Sequence, residues 1–185
     1  MGVQTHIVAP IILSRTKRMI QLVINLAKGV SVANQINIQD SGNIFITNTS
    51  FFDRWWELLH AKLLDESPRD ATIHVRLNRQ SQINELLPLY ERLVLFGAKV
   101  YLWTSLDTTN VNVSNITVLR CPANEKNSSE RFLIADTPTN GRAIVMWDAT
   151  QETESSFNPK GVLITKHSAI HELTNELNTI ISAYS

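Results

Sequence analysis

Between residues 50 and 104 the chain changes its hydrophobic period repeatedly, and this constrains the fold more than any other feature. Phe52, Trp55, Trp56, Leu59 and Leu63 fall at i, i+3, i+4, i+7 and i+11, one face of a helix over 50–65. Ser50, three residues before Asp53, gives that helix a start resembling a capping box. Residues 71–77 (ATIHVRL) then alternate as a strand. The helical period returns over 81–96 with Ile83, Leu86, Leu87, Tyr90 and Val94, and Gly97 stops it. AKVYLWT (98–104) is the next strand. Strands separated by helices of about four turns need crossover connections, and crossovers make a parallel sheet.

The flanks fill in around this unit. Residues 12–28 read as a basic helix with Arg15, Lys17 and Arg18 on its polar side and Gly29 as a stop. Ile36, Ile38, Ile44 and Ile46 alternate around Asp40-Ser41-Gly42, which suggests strands about a tight turn. Residues 105–130 are polar, with one strand at 116–120 (ITVLR). ERFLIAD (130–136) and RAIVMWD (142–148) are strands bridged by Thr137-Pro138-Thr139-Asn140-Gly141, a run of turn formers. An acidic loop over 149–160, a strand at 161–166 and a helix capped near Ser168 complete the chain. The expectation is a single-domain α/β fold with a mixed, mostly parallel sheet and crossover helices. Residues 1–42 form a basic helix and hairpin packed on a lobe over 43–185.

A length of 185 residues with 43% apolar side chains suffices for one buried core. Seventeen basic and seventeen acidic side chains cancel, which argues against a strongly cationic nucleic-acid binder. The split is mild: 11 basic against 8 acidic over residues 1–100, and 6 against 9 over 101–185, or +3 and −3. Nucleic acid stays a weakly supported partner, through the run Arg15-Thr16-Lys17-Arg18. The single Cys, Cys121, excludes a disulfide framework and any multi-Cys metal site. No apolar run approaches the roughly 18–20 residues of a membrane span, and a cytoplasmic location is the expectation. Four N-x-[S/T] sequons, at Asn48, Asn112, Asn115 and Asn127, are no more than this composition produces by chance.

Familiar catalytic patterns are missing. G-x-x-x-x-G-K-[ST], G-x-G-x-x-G and G-x-S-x-G do not occur in the sequence. His167 and His171 are four apart, but this is not H-E-x-x-H, no third ligand is evident, and His167 is expected at or before the helix cap. Both are read as residues of a solvated helix start; no metal and no cofactor are expected. His60, His74 and the Trp55-Trp56 pair are read as packing residues.

One constellation carries a functional reading. Residues 129–136 read Ser-Glu-Arg-Phe-Leu-Ile-Ala-Asp, so Ser129, Arg131 and Asp136 stand at the three positions of H-x-K-x-x-x-x-D. With the order of elements over 43–183, this resembles one lobe of the phospholipase D superfamily. The match is one identity, Asp136, and one conservative change, Arg131. The family's nucleophilic His is replaced by Ser129, which has no base beside it in sequence, and Arg131 cannot donate a proton near neutral pH. The resemblance therefore implies a degenerate, non-catalytic lobe of the sensor or binding type. It would have Arg131, Asp136 and Ser129 as ligand-binding residues, and would recognise a small anionic ligand or a protein partner. A homodimer is implied as well, since the family's sites combine two motifs. The rival readings are a structural subunit of a larger assembly, and a dimeric phosphodiesterase or nuclease with a divergent site.

Overall fold

A computed structural model of the chain describes residues 5–7, 43–46, 49–66, 68–77, 79–105, 115–121, 131–146 and 161–182. In chain order these form β1 (Thr5–Ile7), β2 (Asn43–Ile46), α1 (Thr49–Glu66), β3 (Thr72–Leu77), α2 (Gln80–Leu95), β4 (Lys99–Ser105), β5 (Ile116–Cys121), β6 (Arg131–Asp136), β7 (Gly141–Met146), β8 (Gly161–Ile164) and α3 (His167–Ser182). The strands make one mixed sheet in the order β1-β5-β4-β3-β6-β7-β8-β2. This is an α/β fold.

The expected parallel unit is present: β3, β4 and β5 are parallel neighbours, and β1 extends them in parallel. The other half is antiparallel, because β6 and β7 form a hairpin and β8 and β2 continue from it. Among described strands this gives three parallel pairings and four antiparallel ones, so the sheet is more evenly mixed than the sequence suggested. The basic helix at 12–28, the first strand of the expected hairpin and the 149–160 loop lie outside the described residues.

Side-chain alternation divides the strands between two cores. Ile73, Val75 and Leu77 of β3, Val100 and Leu102 of β4, and Leu133 and Ala135 of β6 face one way. They meet Phe52, Trp56, Leu59 and Leu63 of α1 with Ile83, Tyr90 and Leu93 of α2. Trp103, Phe132, Ile134, Ala143, Val145, Val162 and Ile164 face the other way, onto Ile170, Leu173, Leu177 and Ile180 of α3. Helices on both faces are why the central strands read as near-continuous apolar runs.

Polar side chains built into these cores include His60, Tyr90 and His74. His60 Nδ1–H donates to the Trp56 carbonyl (2.7 Å), and its Nε2 accepts from the Tyr90 hydroxyl (2.6 Å). Burial lowers the His60 pKa and raises that of Tyr90, so both stay neutral in the fold. His74 is fully buried and stacks on Tyr101, with its Nδ1 accepting from Trp103 Nε1–H (3.3 Å). Burial pushes its pKa down to about 3, against a smaller upward effect of the Asn178 side chain. These contacts agree with the packing role read for both histidines. Trp56 is likewise buried in the core and Trp55 is half-buried against it.

Candidate functional site

Strand β6 carries two of the three motif positions, Arg131 at its first residue and Asp136 at its last. Alternation puts residues five apart on opposite faces, and five steps of about 3.3 Å separate their Cα atoms by roughly 16 Å. The two side chains accordingly reach different helices. Ser129 lies outside the described residues. The structure therefore does not bring Arg131 and Asp136 together in one site.

Arg131 turns toward α1. Its Nη2 pairs with Asp53 Oδ1 at 2.8 Å, and the guanidinium carbon lies 4.8 Å from the Phe52 ring centre and 5.9 Å from that of Trp56. Sulfur of Met146 is 3.8 Å from the same nitrogen. The helix that was expected to open on a Ser50–Asp53 capping box begins at Thr49, and the Asp53 carboxylate goes to Arg131 instead. The pair is asymmetric: the Arg131 side chain is 19% exposed and that of Asp53 53%. A fixed cation thus rests on aromatic faces behind a solvated, exchangeable carboxylate. Because β6 runs antiparallel to β3 and Phe132 is opposite Arg76, Arg131 starts at the carboxyl end of the parallel strands. That is the edge where open α/β sheets hold ligands.

Asp136 turns toward α3, at the other end of β6. The β6–β7 turn is locked locally: Thr137 Oγ1–H donates to the Asn140 carbonyl (2.6 Å), and the Asn140 amide donates back to Thr137 Oγ1 (3.0 Å). Next comes Gly141, where a Cβ would stand 2.9 Å from Ile170 Cγ2 of α3. Only glycine allows the first turn of α3 to approach the hairpin this closely. The approach delivers two histidines to one carboxylate. His171 Nδ1–H donates to Asp136 Oδ2 (2.9 Å), and His167 Nε2–H donates to Asp136 Oδ1 and the Thr137 carbonyl (3.1 Å each). The Asp136 side chain is 9% exposed, against 42% and 62% for His167 and His171.

The two histidines do stand at a solvent-accessible helix start, as read, and in addition share a buried carboxylate. His167 is the first helical residue and not a preceding cap, so His167 and His171 do share a helix face. Partners on a distant strand left no local signal in the sequence. The triad borders an open cleft of about 460 Å³ lined also by Asp70, Thr72, Thr137, Pro138 and Ser168. Among the described residues, no group of three or more His, Cys, Asp or Glu side chains is arranged to hold a metal. No helix among them is long and apolar enough to cross a membrane.

Comparison with protein-family models, with curated proteins and with solved structures gave no match for this chain.

Proposed function

We propose that the chain is a non-enzymatic binding module, a degenerate phospholipase-D-like lobe that recognises a small anionic ligand through Arg131. One observation carries the reading. A guanidinium held on the rings of Phe52 and Trp56, at the carboxyl edge of the parallel strands, has the exposed Asp53 carboxylate as its ionic partner. An arriving phosphate or carboxylate can replace Asp53 at little cost, since an exposed ion pair is worth at most about 1 kcal/mol. Guanidinium also suits the planar, two-point recognition of such anions. Asp136, at the far end of the strand, is not part of this seat.

The test is a thermal-shift screen with phosphate, sulfate, nucleotides and short nucleic acids on the full chain and on Arg131→Ala. A ligand present at 100 times its dissociation constant stabilises by about 2.7 kcal/mol, several degrees for a chain of this size. The reading expects a shift with at least one anion that disappears in Arg131→Ala. A shift that survives the substitution removes Arg131 as the seat. No shift with any of the anions counts against the binding reading as a whole.

A further inference from the structure

We infer that His171 is a modification site, a phosphoryl acceptor whose Nε2 takes the group from a donor of the phosphoramidate class. The inference does not rest on the anion reading. His171 works with Asp136, at the opposite end of β6 from Arg131, and the chain is the acceptor here and not the catalyst.

One hydrogen bond sets the ring. An ionised carboxylate can only accept, so His171 donates to Asp136 Oδ2 from Nδ1 (2.9 Å) and its lone pair is left on Nε2. That nitrogen has no hydrogen-bond partner among the described residues. The His171 side chain is 62% exposed and that of Asp136 9%, so the ring is accessible while the group that orients it is buried behind. An imidazole held in this way is a stronger nucleophile, because the carboxylate fixes the tautomer and stabilises the cationic ring that forms. The other described histidines lack this combination. His60 uses both ring nitrogens inside the core, and His74 is fully buried. His167 spends Nε2–H on Asp136 and the Thr137 carbonyl, which leaves only Nδ1, the nitrogen crowded by its own backbone.

The step balances. Nε2 attacks phosphorus with its lone pair, the phosphorus–nitrogen bond of the donor breaks, and ammonia leaves with the electrons of that bond. The ring becomes cationic with Nδ1 still protonated, and Asp136 neutralises the new charge. The phosphoryl oxygens also find donors. Helical side chains lean toward the N-terminus, which carries the His171 ring back over the first turn of α3. There the first intrahelical bonds run from the amides of Ala169 and Ile170 to the Lys166 carbonyl, so the amides of His167 and Ser168 precede them. Ser168 adds a hydroxyl to the same cleft. Asp70 lines the cleft too, but it is exposed and solvent screens its repulsion.

The experiment treats the full chain with phosphoramidate, follows intact mass, and maps the label under alkaline conditions that preserve phosphohistidine. Wild type, His171→Gln and Asp136→Asn are compared. The inference expects one phosphoryl group per chain on His171, lost in His171→Gln and gained at least about tenfold more slowly in Asp136→Asn. No label, label appearing first on another histidine, or equal rates in wild type and Asp136→Asn overturns it. Should Asp136→Asn fail to fold, wild type in denaturing urea takes its place. His171 must then label faster in the folded chain than in urea, and equal rates overturn the site.

Discussion

Two buried histidines show how little a residue type says without its partners. His60 satisfies both ring nitrogens within the fold, whereas Nε2 of His74 has no hydrogen-bond partner in good geometry among the described residues. The depressed pKa of His74 makes its contribution to stability depend on pH. In the unfolded chain an ordinary histidine binds a proton below about pH 6.5, whereas the folded chain does not bind one here until about pH 3. The stabilisation is thus complete above 6.5 and is lost as the pH falls from there toward 3. Over that window the unfolding free energy drops by about 1.4 kcal/mol per pH unit from this group alone. Urea melts between pH 7 and pH 4 should show this slope, and His74→Gln should flatten it. An equal slope in the variant would contradict the assignment. The sequence placed His74 on an alternating strand, but its charge state depends first on burial by distant elements and, in the opposite sense, on Asn178, which are long-range facts.

At the scale of elements, periodicity was legible because each helix buries one stripe and the central strands both faces. The helices read over 50–65 and 81–96 appear as Thr49–Glu66 and Gln80–Leu95, and every strand read from 71 onward is found within about two residues of its expected ends. What periodicity did not deliver was β1, a three-residue edge strand too short to show a period, and the partners of β6. One clue was available: residues 131 and 136 differ by an odd number, so a strand must send them to opposite faces. The motif spacing drew attention away from that arithmetic.

Two substitutions test how the elements are held. Pro88 stands inside α2 on its exposed side, where it removes the backbone donor to Asn84 and crowds that carbonyl. Pro88→Ala should raise stability by about 1–3 kcal/mol in denaturant melts, and a loss of stability would mean that the proline is needed. Gly141→Ala should cost about 1–3 kcal/mol through the clash with Ile170 and the Ala135 carbonyl. In the same variant, ¹⁵N signals of His167 and His171 should move, because the helix turn carrying them is displaced. A variant as stable as wild type with unmoved signals would show that the close approach is not what seats the histidines.

For the whole molecule, the sheet works as a spacer. Strand β6 crosses between the layers, holding a cation against α1 at one end and an anion against α3 at the other. The sequence motif read these as one site because it is written along the chain; the fold separates them by a strand's length and a sheet's thickness. The phospholipase-D-like reading also predicts a pair of lobes in solution. Light scattering at tens of micromolar should return twice the 20.9 kDa chain mass, and a monomer at that concentration would contradict it.

The central question is whether Arg131 is an anion seat whose occupant in the free protein is Asp53. Phosphate titration of wild type, Asp53→Asn and Arg131→Ala, followed by melting temperature, tests this most directly. Removing the competing carboxylate should tighten phosphate binding several-fold, and removing the guanidinium should abolish it. Phosphate affinity that is the same in all three proteins would contradict the account, and would leave Arg131 and Asp53 as a pair that only fastens α1 to the sheet.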